Sequence, residues 1–442
     1  MPKLFYFCSV NKKIAFQTFG CKLNFAETSQ ISRQFIENGY EIADFKETAD
    51  VYVINTCTVT SIAEKKCKTA IRSAINRNPD AKVAVIGCFS QLKAEEIQEI
   101  EGVDLIIGNN EKHKLFEIIS NRKNNTATNC AYCDVKQMEK SDAFVPSYSS
   151  GDRTRSFLKI QDGCDYFCTY CAIPFARGRS RSDTIANIVK SAEAIANEGL
   201  KEVILTGVNI GDFGKQNNES FLQLIKALDK VNGIERYRIS SIEPDLLTDE
   251  IIEFVANSSK FLPHFHIPLQ SGSNKILKMM KRHYQRELFA ERVYKIKSVM
   301  PDACIAADVI CGFPGETDED FKDSYDFIEA LPISYLHVFT YSERPDTIAA
   351  KLENKVPVNI RRERSKALQI LSDKKKHEFY LENTTSVRKV LFESDIHNGY
   401  IFGFTDNYIR VKTKKDLSLV NNVCIVKLKI LDNDEVFFAD KE

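Results

Sequence analysis

The period of the hydrophobic pattern changes repeatedly along the chain, and this limits its possible folds more than any other feature. Over residues 12–120, short β-rich runs at Lys13–Thr18, Val51–Asn55, Lys82–Ile86 and Asp104–Ile107 alternate with helical spacing at Asn24–Asn38, Ile62–Asn76 and Gln91–Ile100. Such alternation reads as βαβ units, hence a mostly parallel sheet covered by helices, a doubly wound α/β domain. The pattern lapses over 121–152, where polar Asn121–Asn129 and turn-rich Pro146–Gly151 read as a linker. It resumes in six strand candidates, Phe157–Ile160, Glu202–Thr206, Tyr237–Ser241, His264–Pro268, Ile305–Ile310 and Tyr335–Phe339, separated by helical segments. Six βα repeats in about 200 residues predict a parallel barrel or partial barrel, with functional residues at the strands' C-terminal ends. A charged helical stretch follows over 361–376, with seven basic residues and two acidic. After Asn383, closely spaced short strands without helices read as a small β-barrel. The expected organisation is an α/β chain with a doubly wound domain over 12–122, a linker over 123–150, a (βα)6 partial-barrel core over 151–378, and an all-β barrel over 380–442.

Composition narrows the function. The 442 residues include 61 basic and 61 acidic ones, which excludes a uniformly basic nucleic-acid coat and permits a local patch. No apolar run approaches the roughly 18 residues of a membrane-spanning helix, so no membrane partner is expected. The N-terminus MPKLFYFCSVNKK lacks a secretory core with a cleavage site. A reducing, cytoplasmic setting is therefore expected. There the thirteen cysteines serve metal or catalytic work more readily than disulfides.

One segment carries the chemistry. Cys164, Cys168 and Cys171 stand as C-x3-C-x2-C in a loop just after the first strand of the second domain. Three thiolates so close can ligate three irons of a cubane cluster and leave the fourth open. A zinc site would want a fourth Cys or His nearby, and the sequence offers none over the following segment. The loop, with aromatic Tyr170 before its last cysteine, resembles that of the radical S-adenosylmethionine superfamily. The resemblance implies that the open iron binds S-adenosylmethionine, whose one-electron cleavage yields methionine and a 5′-deoxyadenosyl radical. Four more predicted strand ends are polar or glycine-bearing: Thr206–Asn209, Ser240–Glu243, Gln270–Ser273 and Asp308–Thr317. Each could equally be a turn that caps the next helix. Thr206, Gly207 and Glu243 are taken with Tyr170 as cofactor contacts.

A second cysteine set is dispersed. Cys21, Cys57 and Cys88 follow the first three predicted strands of the N-terminal domain, and parallel strands bring such ends side by side. They could hold a second three-cysteine cluster or, like Cys67, be ordinary buried thiols. The sequences GCKLN, NTCTV and GC at these strand ends, ahead of the radical loop, resemble the methylthiotransferase family over nearly the whole chain. The resemblance implies an auxiliary [4Fe-4S] cluster on Cys21, Cys57 and Cys88 and a radical [4Fe-4S] cluster on Cys164, Cys168 and Cys171. It also implies an external electron donor and two S-adenosylmethionine molecules, one giving a methyl group and the other the radical. Cys130 and Cys133 form a C-x2-C pair with no second pair, so no metal role is expected. Cys311 reads as core; Cys8, Cys304 and Cys424 have no evident partner.

The C-terminal segment resembles the RNA-binding TRAM barrel of these enzymes. From Tyr380 onward it carries nine basic and ten acidic residues, but Arg410, Lys412 and Lys414 alternate and so share one strand face. With Tyr400, Phe402 and Tyr408 close by, they form a candidate phosphate-and-stacking surface. Further basic clusters lie at Arg177–Arg181, Lys281–Arg286 and Arg361–Lys376. LKIQDGCDYFCTYCAIPFARGRSRS, HFHIPLQSGS and GFTDNYIRVK most resemble the branch that modifies threonylcarbamoyl-adenosine in the tRNA anticodon stem-loop. The other branches act on isopentenyl-adenosine in tRNA or on an aspartate of a ribosomal protein. A non-catalytic iron–sulfur RNA-binding protein is the rival from another class.

Overall fold

The computed structural model describes residues 12–121, 132–134, 143–151, 154–431 and 437–441. They fall into two compact units, one from within Met1–Asp142 with Phe175–Gly178, the other from Ala143–Pro174 with Arg179–Glu442.

The first unit is a six-stranded parallel sheet: β1 (Lys13–Thr18), β2 (Glu41–Ala43), β3 (Val51–Thr56), β4 (Lys82–Gly87), β5 (Leu105–Ile107) and β6 (Tyr132–Asp134), in spatial order 2-1-3-4-5-6. It is doubly wound, as expected. Helices α1 (Lys22–Glu37), α2 (Ser61–Arg77), α3 (Cys88–Leu92), α4 (Ala94–Gln98) and α5 (Leu115–Asn121) cover it. One apolar cluster joins Tyr52, Ile54, Val83 and Val85 to Ile71 and Ala74 of α2. Another joins Val51, Val53, Ala84 and Ile86 to Ile31 and Phe35 of α1. Alternate residues of each central strand thus feed opposite cores, which is why these strands read as continuous apolar runs. The sequence reading passes over β2 and β6, both three residues long and too short for a periodic signal. β6 extends the sheet from within the segment read as a linker. The Cys130–Cys133 reading lies outside the described side chains.

The second unit opens with β7 (Ser147–Tyr148), β8 (Arg155–Lys159) and the small pair β9 (Gln161–Asp162) and β10 (Arg181–Ser182). Then come β11 (Glu202–Thr206), β12 (Arg236–Ile239), β13 (His264–Gln270), β14 (Cys304–Cys311) and β15 (Tyr335–Thr340). β8, β11 and β12 pair in parallel, as do β13, β14 and β15. Parallel bridges Tyr237–Phe261 and Ser241–His266 join the two sets, so six parallel strands run in order as the sequence predicts. Their outer face packs on helices through Leu205, Ile239, Ile267, Val309 and Leu336. The helices start at clear signals: Ser220 with Gln223 and Thr317 with Asp320 make reciprocal capping boxes. After the long helix Val358–Glu382, β16 (Val387–His397), β17 (Tyr400–Thr405), β18 (Arg410–Lys414), β19 (Val423–Leu431) and β20 (Phe437–Lys441) close a small barrel in order 16-17-18-20-19.

This barrel does not stand apart from the six-stranded sheet. Glu202 of β11 is fully buried and pairs with Arg236 at 2.8 Å and Arg238 at 2.9 Å. The two guanidiniums reach the turn after β17, donating to the carbonyls of Thr405 at 3.0 and 2.7 Å and, from Arg238, to that of Asp406 at 2.9 Å. Arg155 pairs with Glu393 of β16 at 2.7 Å, and the Tyr408 ring stacks on His264 at 4.4 Å. Periodicity signals each strand but not this buried charge cluster, which joins residues far apart in the chain.

Candidate functional site

In the first unit, Cys21 caps α1 directly after β1, Cys57 follows β3, and Cys88 begins α3 after β4. Register sets them side by side: Thr18 is opposite Asn55, and Thr56 is opposite Gly87. Gly20 and Gly87, each preceding a cysteine, hold φ of +94° and +101°, a region that favours glycine. A Cβ on Gly20 would stand 2.8 Å from the Cys57 sulfur; one on Gly87 would stand 2.5 Å from Asn55 Oδ1. Asn24 of GCKLN donates to the Phe19 carbonyl at 2.8 Å and the Thr56 carbonyl at 3.1 Å, tying together the loops that carry Cys21 and Cys57.

The three thiols feel one another. Burial pushes the Cys57 thiol up to about 12, and Cys88 and Cys21 act in the same direction. Around Cys21 the surrounding protein raises the thiol against the pull of the Arg177 guanidinium. Arg177 is buried in this unit and reaches Asn24 Oδ1 at 2.6 Å and Glu27 at 3.0 Å. Lys112 completes the group, with Glu27 at 2.5 Å and Asn109 Oδ1 at 2.8 Å; the Asn109 amide lies 3.5 Å from the Cys88 sulfur. The sequence reading counts Arg177 in a basic cluster with Arg179 and Arg181, as for a surface patch. The structure corrects this: the side chain is inside and paired. Cys67, read as a thiol with no special place, is buried on α2 with its sulfur 3.8 Å from the Cys57 carbonyl oxygen.

In the second unit, Cys164, Cys168 and Cys171 lie in the loop after β9. Gly163 at φ +70° and Phe167 at φ +49° bend it, and the Cys171 amide donates to the Cys168 carbonyl at 3.0 Å. Thr169 fastens the loop, its hydroxyl donating to the Met279 carbonyl at 2.9 Å. Tyr170 packs beside Ile276, Met280 and Phe313. Burial, then the Cys168 thiol, push the Cys171 thiol up to about 12.

Arg282 is the group the sequence reading misplaces here. Counted there in a basic cluster, it has a side chain only 3% exposed, donates to the Cys168 sulfur at 3.0 Å, and pairs with Glu243. Its Nε donates to Tyr284 Oη at 3.2 Å, and Tyr284 donates to the Pro268 carbonyl at 2.5 Å. Burial raises the Glu243 carboxyl to about 7; Arg282 opposes this, while Asp245 and Asp308 reinforce it. Tyr166 donates to Asp245 at 2.6 Å and stacks on His283 at 4.0 Å. Local charge could not signal the inward turn of Arg282, because its partners come from other strands.

The remaining strand ends divide. Thr206 is buried at the end of β11. The space over the Gly207 Cα is taken by Gln161 and Ile210, 2.9 and 2.8 Å from an added Cβ. The same Gln161 oxygen accepts from the amides of Val208 at 2.9 Å and Asn209 at 2.8 Å, fixing this loop. Gln270–Ser273 serves the local fold, with Ser273 capping the next helix and Gly272 pressed on Ser324. In the loop after β14, Glu316 accepts from the Gly312 amide at 2.7 Å and pairs with Arg364 at 2.6 Å. Arg361, Arg364 and Lys375 are buried, whereas Arg362, Lys366 and Lys374 are exposed, so the expected basic cluster of that helix is divided between the interior and the surface.

On the C-terminal barrel, Arg410 lies over Phe402 at 4.8 Å, and Lys412 lies over Tyr400 at 5.3 Å and Phe438 at 4.5 Å. Lys414 is opposite Tyr400 in the ladder. The basic strand therefore has its aromatic neighbours, with Phe438 added. Tyr408 is the exception, turned to His264, Phe404 and Arg238.

Each cysteine group supplies three sulfurs, a donor set suited to a cubane iron–sulfur cluster with one open iron. Beside β11 and β12, both polar atoms of the Asn209 side chain and the Ser240 hydroxyl are buried without protein partners, which fits a polar ligand at those strand ends.

Residues 13–108 match a model described as "Uncharacterized protein family UPF0004", and residues 158–328 match that of the radical SAM superfamily. The threonylcarbamoyladenosine tRNA methylthiotransferase of Bacillus subtilis (strain 168) is 42% identical, covering 95% of this chain and 93% of its own. A tRNA-2-methylthio-N(6)-dimethylallyladenosine synthase of Alkaliphilus oremlandii is 33% identical, covering 95% and 90%. Among solved structures, a radical S-adenosylmethionine methyltransferase from Kitasatospora setae aligns with a TM-score of 0.56 over 77% of each chain at 15% identity, a likeness of fold. The chain belongs to the radical S-adenosylmethionine methylthiotransferase family. It is an enzyme whose cofactors are S-adenosylmethionine and [4Fe-4S] clusters. No helix among the described residues is long and apolar enough to cross a membrane.

Proposed function

We propose that this enzyme adds a methylthio group to carbon 2 of N6-threonylcarbamoyladenosine beside the anticodon of tRNA. The observation that carries this reading is near full-length similarity to four threonylcarbamoyladenosine tRNA methylthiotransferases, at 36–42% identity over at least 90% of this chain. The dimethylallyladenosine synthases fall at 33–35%.

In this reading Cys21, Cys57 and Cys88 hold the auxiliary cluster, and Cys164, Cys168 and Cys171 hold the radical cluster. When bound, the clusters and S-adenosylmethionine supply the electron, radical, sulfur and methyl group that exchange a C–H bond for a C–S bond. The protein's part is placement. Arg282, held by Glu243 and Tyr284, directs a buried positive charge at the Cys168 sulfur. Arg177 and Lys112 place positive charge below the first cysteine group. Thr206, Gly207, Glu243 and Tyr170 border the S-adenosylmethionine site, where the buried Asn209 amide and Ser240 hydroxyl supply further polar contacts. Arg410, Lys412 and Lys414 face the anticodon stem-loop. The setting is the cytoplasm, with a separate electron donor reducing the radical cluster.

Nucleoside mass spectrometry of tRNA from cells with and without the gene tests the substrate. Loss of the methylthio form, with accumulation of threonylcarbamoyladenosine, is the expected result; an unchanged profile rejects a tRNA substrate and turns attention to ribosomal proteins. In the purified enzyme, Cys164→Ala should abolish S-adenosylmethionine cleavage. Cys21→Ala should keep cleavage and lose methylthio product; product formed with that variant's own sulfur would reject the two-cluster assignment.

A further inference from the structure

Arg282 brings a permanent charge to the sulfur of Cys168. One terminal nitrogen of its guanidinium donates to that sulfur at 3.0 Å, while the other meets the Glu243 carboxylate. The rest of the group is held as well. Its Nε donates to Tyr284 Oη at 3.2 Å, and the guanidinium lies over the Tyr284 ring at 5.0 Å. Tyr284 is fixed in turn, since its hydroxyl donates to the Pro268 carbonyl at 2.5 Å. A guanidinium is always charged in a protein, so this charge is constant. The neighbouring carboxylates are engaged elsewhere. Tyr166 donates to Asp245 at 2.6 Å, and His266 Nε2 lies 2.7 Å from Asp308 Oδ1, with the His337 ring 4.9 Å from that of His266. Glu243 is the carboxylate that meets Arg282.

The sulfurs of the two cysteine groups are contacted differently. Cys168 meets a guanidinium, whereas Cys164 accepts from the Tyr166 backbone amide at 3.5 Å. In the first unit the Cys88 sulfur has the uncharged Asn109 amide at 3.5 Å. A buried ion pair is a poor source of stability, and a neutral donor would fasten the loop as well as a charged one. What arginine adds over a neutral donor is its charge. The potential of an iron–sulfur cluster follows its net charge, the hydrogen bonds to its sulfurs and its exposure. Reduction adds one negative charge, so a cation at a ligand sulfur favours the reduced form. A carboxylate beside that cation offsets part of the effect.

We propose that Arg282 is a positioning residue that raises the reduction potential of the radical cluster through the Cys168 sulfur, and that Glu243 limits the rise by offsetting its charge. This rests on the assignment of Cys164, Cys168 and Cys171 to that cluster. The electron comes from the separate donor, and no bond of the protein forms or breaks. The pair thus sets how strong a one-electron donor the enzyme needs.

The test is a redox titration of the full-length, cluster-loaded enzyme with titanium(III) citrate, without S-adenosylmethionine, followed by electron paramagnetic resonance. The signal that changes when S-adenosylmethionine is added afterwards belongs to the radical cluster. Arg282→Gln should make this cluster at least about tenfold harder to reduce at a fixed potential, a midpoint lower by about 59 mV for one electron. Arg282→Lys, which keeps the charge, should recover part of the loss. Glu243→Gln, which removes the offsetting charge, should move the midpoint the other way. A role in fastening the loop alone gives no such opposite shifts. If Arg282→Gln holds no radical cluster, Glu243→Gln decides: a higher midpoint supports the inference, and an unchanged or lower one overturns it. Midpoints that stay at the wild-type value in both variants, or move in the same direction, overturn the inference and leave the proposed function standing. A signal responsive to S-adenosylmethionine that survives Cys168→Ala overturns the cysteine assignment and this inference with it.

Discussion

Gly20 and Gly87 place the cysteines that follow them through two properties of glycine. Each needs a positive φ, and each lets another strand's end come closer than a side chain would allow. Gly20→Ala would drive a methyl group to 2.8 Å from the Cys57 sulfur and strain the turn before Cys21. The expected outcome is the loss of about four irons per chain on reconstitution, the complement of one cubane cluster, with the radical cluster retained. Iron analysis with electron paramagnetic resonance checks it, and full iron content in the variant would reject the assignment of Cys21 and Cys57 to one cluster. Asn24 acts at the same scale: one side-chain amide spans the two loops through hydrogen bonds to Phe19 and Thr56.

Among the elements, β18 joins a simple pattern to a proposed function. Alternation puts Arg410, Lys412 and Lys414 on one face, and the ladder sets Phe402 and Tyr400 across from Lys412 and Lys414. Cations held over aromatic rings keep their charge exposed while their stems are covered. Replacing Arg410 and Lys412 together by Glu should weaken anticodon stem-loop binding by at least about tenfold and lower the slope of log affinity against log salt by about 1.5 to 2, as expected for two lost phosphate contacts. Filter binding across a salt series measures both; an unchanged slope would remove β18 from the RNA interface. Tyr408, next to this strand in sequence, serves the joint with His264 instead.

At the scale of the whole second unit, Glu202 holds the C-terminal barrel to the six-stranded sheet through Arg236 and Arg238. Burial alone would raise its carboxyl, yet Arg236, Arg238 and Arg155 together bring it down to about 2. A carboxyl lowered by folding contributes stability that is complete above its unfolded value near 4.5 and is lost as the pH falls toward about 2. The depression corresponds to about 3 kcal/mol. Glu202→Gln should therefore cost about 3–5 kcal/mol at neutral pH by leaving buried guanidiniums uncompensated, and should flatten the acid limb of stability. Urea unfolding of both proteins at pH 7 and pH 4 tests this; a variant as stable as wild type at pH 7 would show that the arginines are held by the Thr405 and Asp406 carbonyls alone.

Periodicity was enough to read the doubly wound sheet, the six-strand order and the small barrel, because a parallel strand buried between helices must be apolar along its length. Spacing was enough to single out Cys164, Cys168 and Cys171, a local loop whose geometry is set within eight residues. The inward turn of Arg177 and Arg282 was not legible: a buried guanidinium looks like a surface one until its partner is known, and Glu27 and Glu243 arrive from 150 and 39 residues away. The same holds for His266, Asp308 and His337, three ordinary strand residues brought together only by the register of β13–β15. The sequence by itself determined the longer strands and the loop of Cys164–Cys171, since those follow from local periodicity and turn chemistry, while two- and three-residue strands such as β2 and β6 are too short for such a signal. Tertiary structure alone decided which charges are buried, which imidazole is exposed and which basic strand keeps its aromatic face, because each depends on a partner that no local pattern specifies.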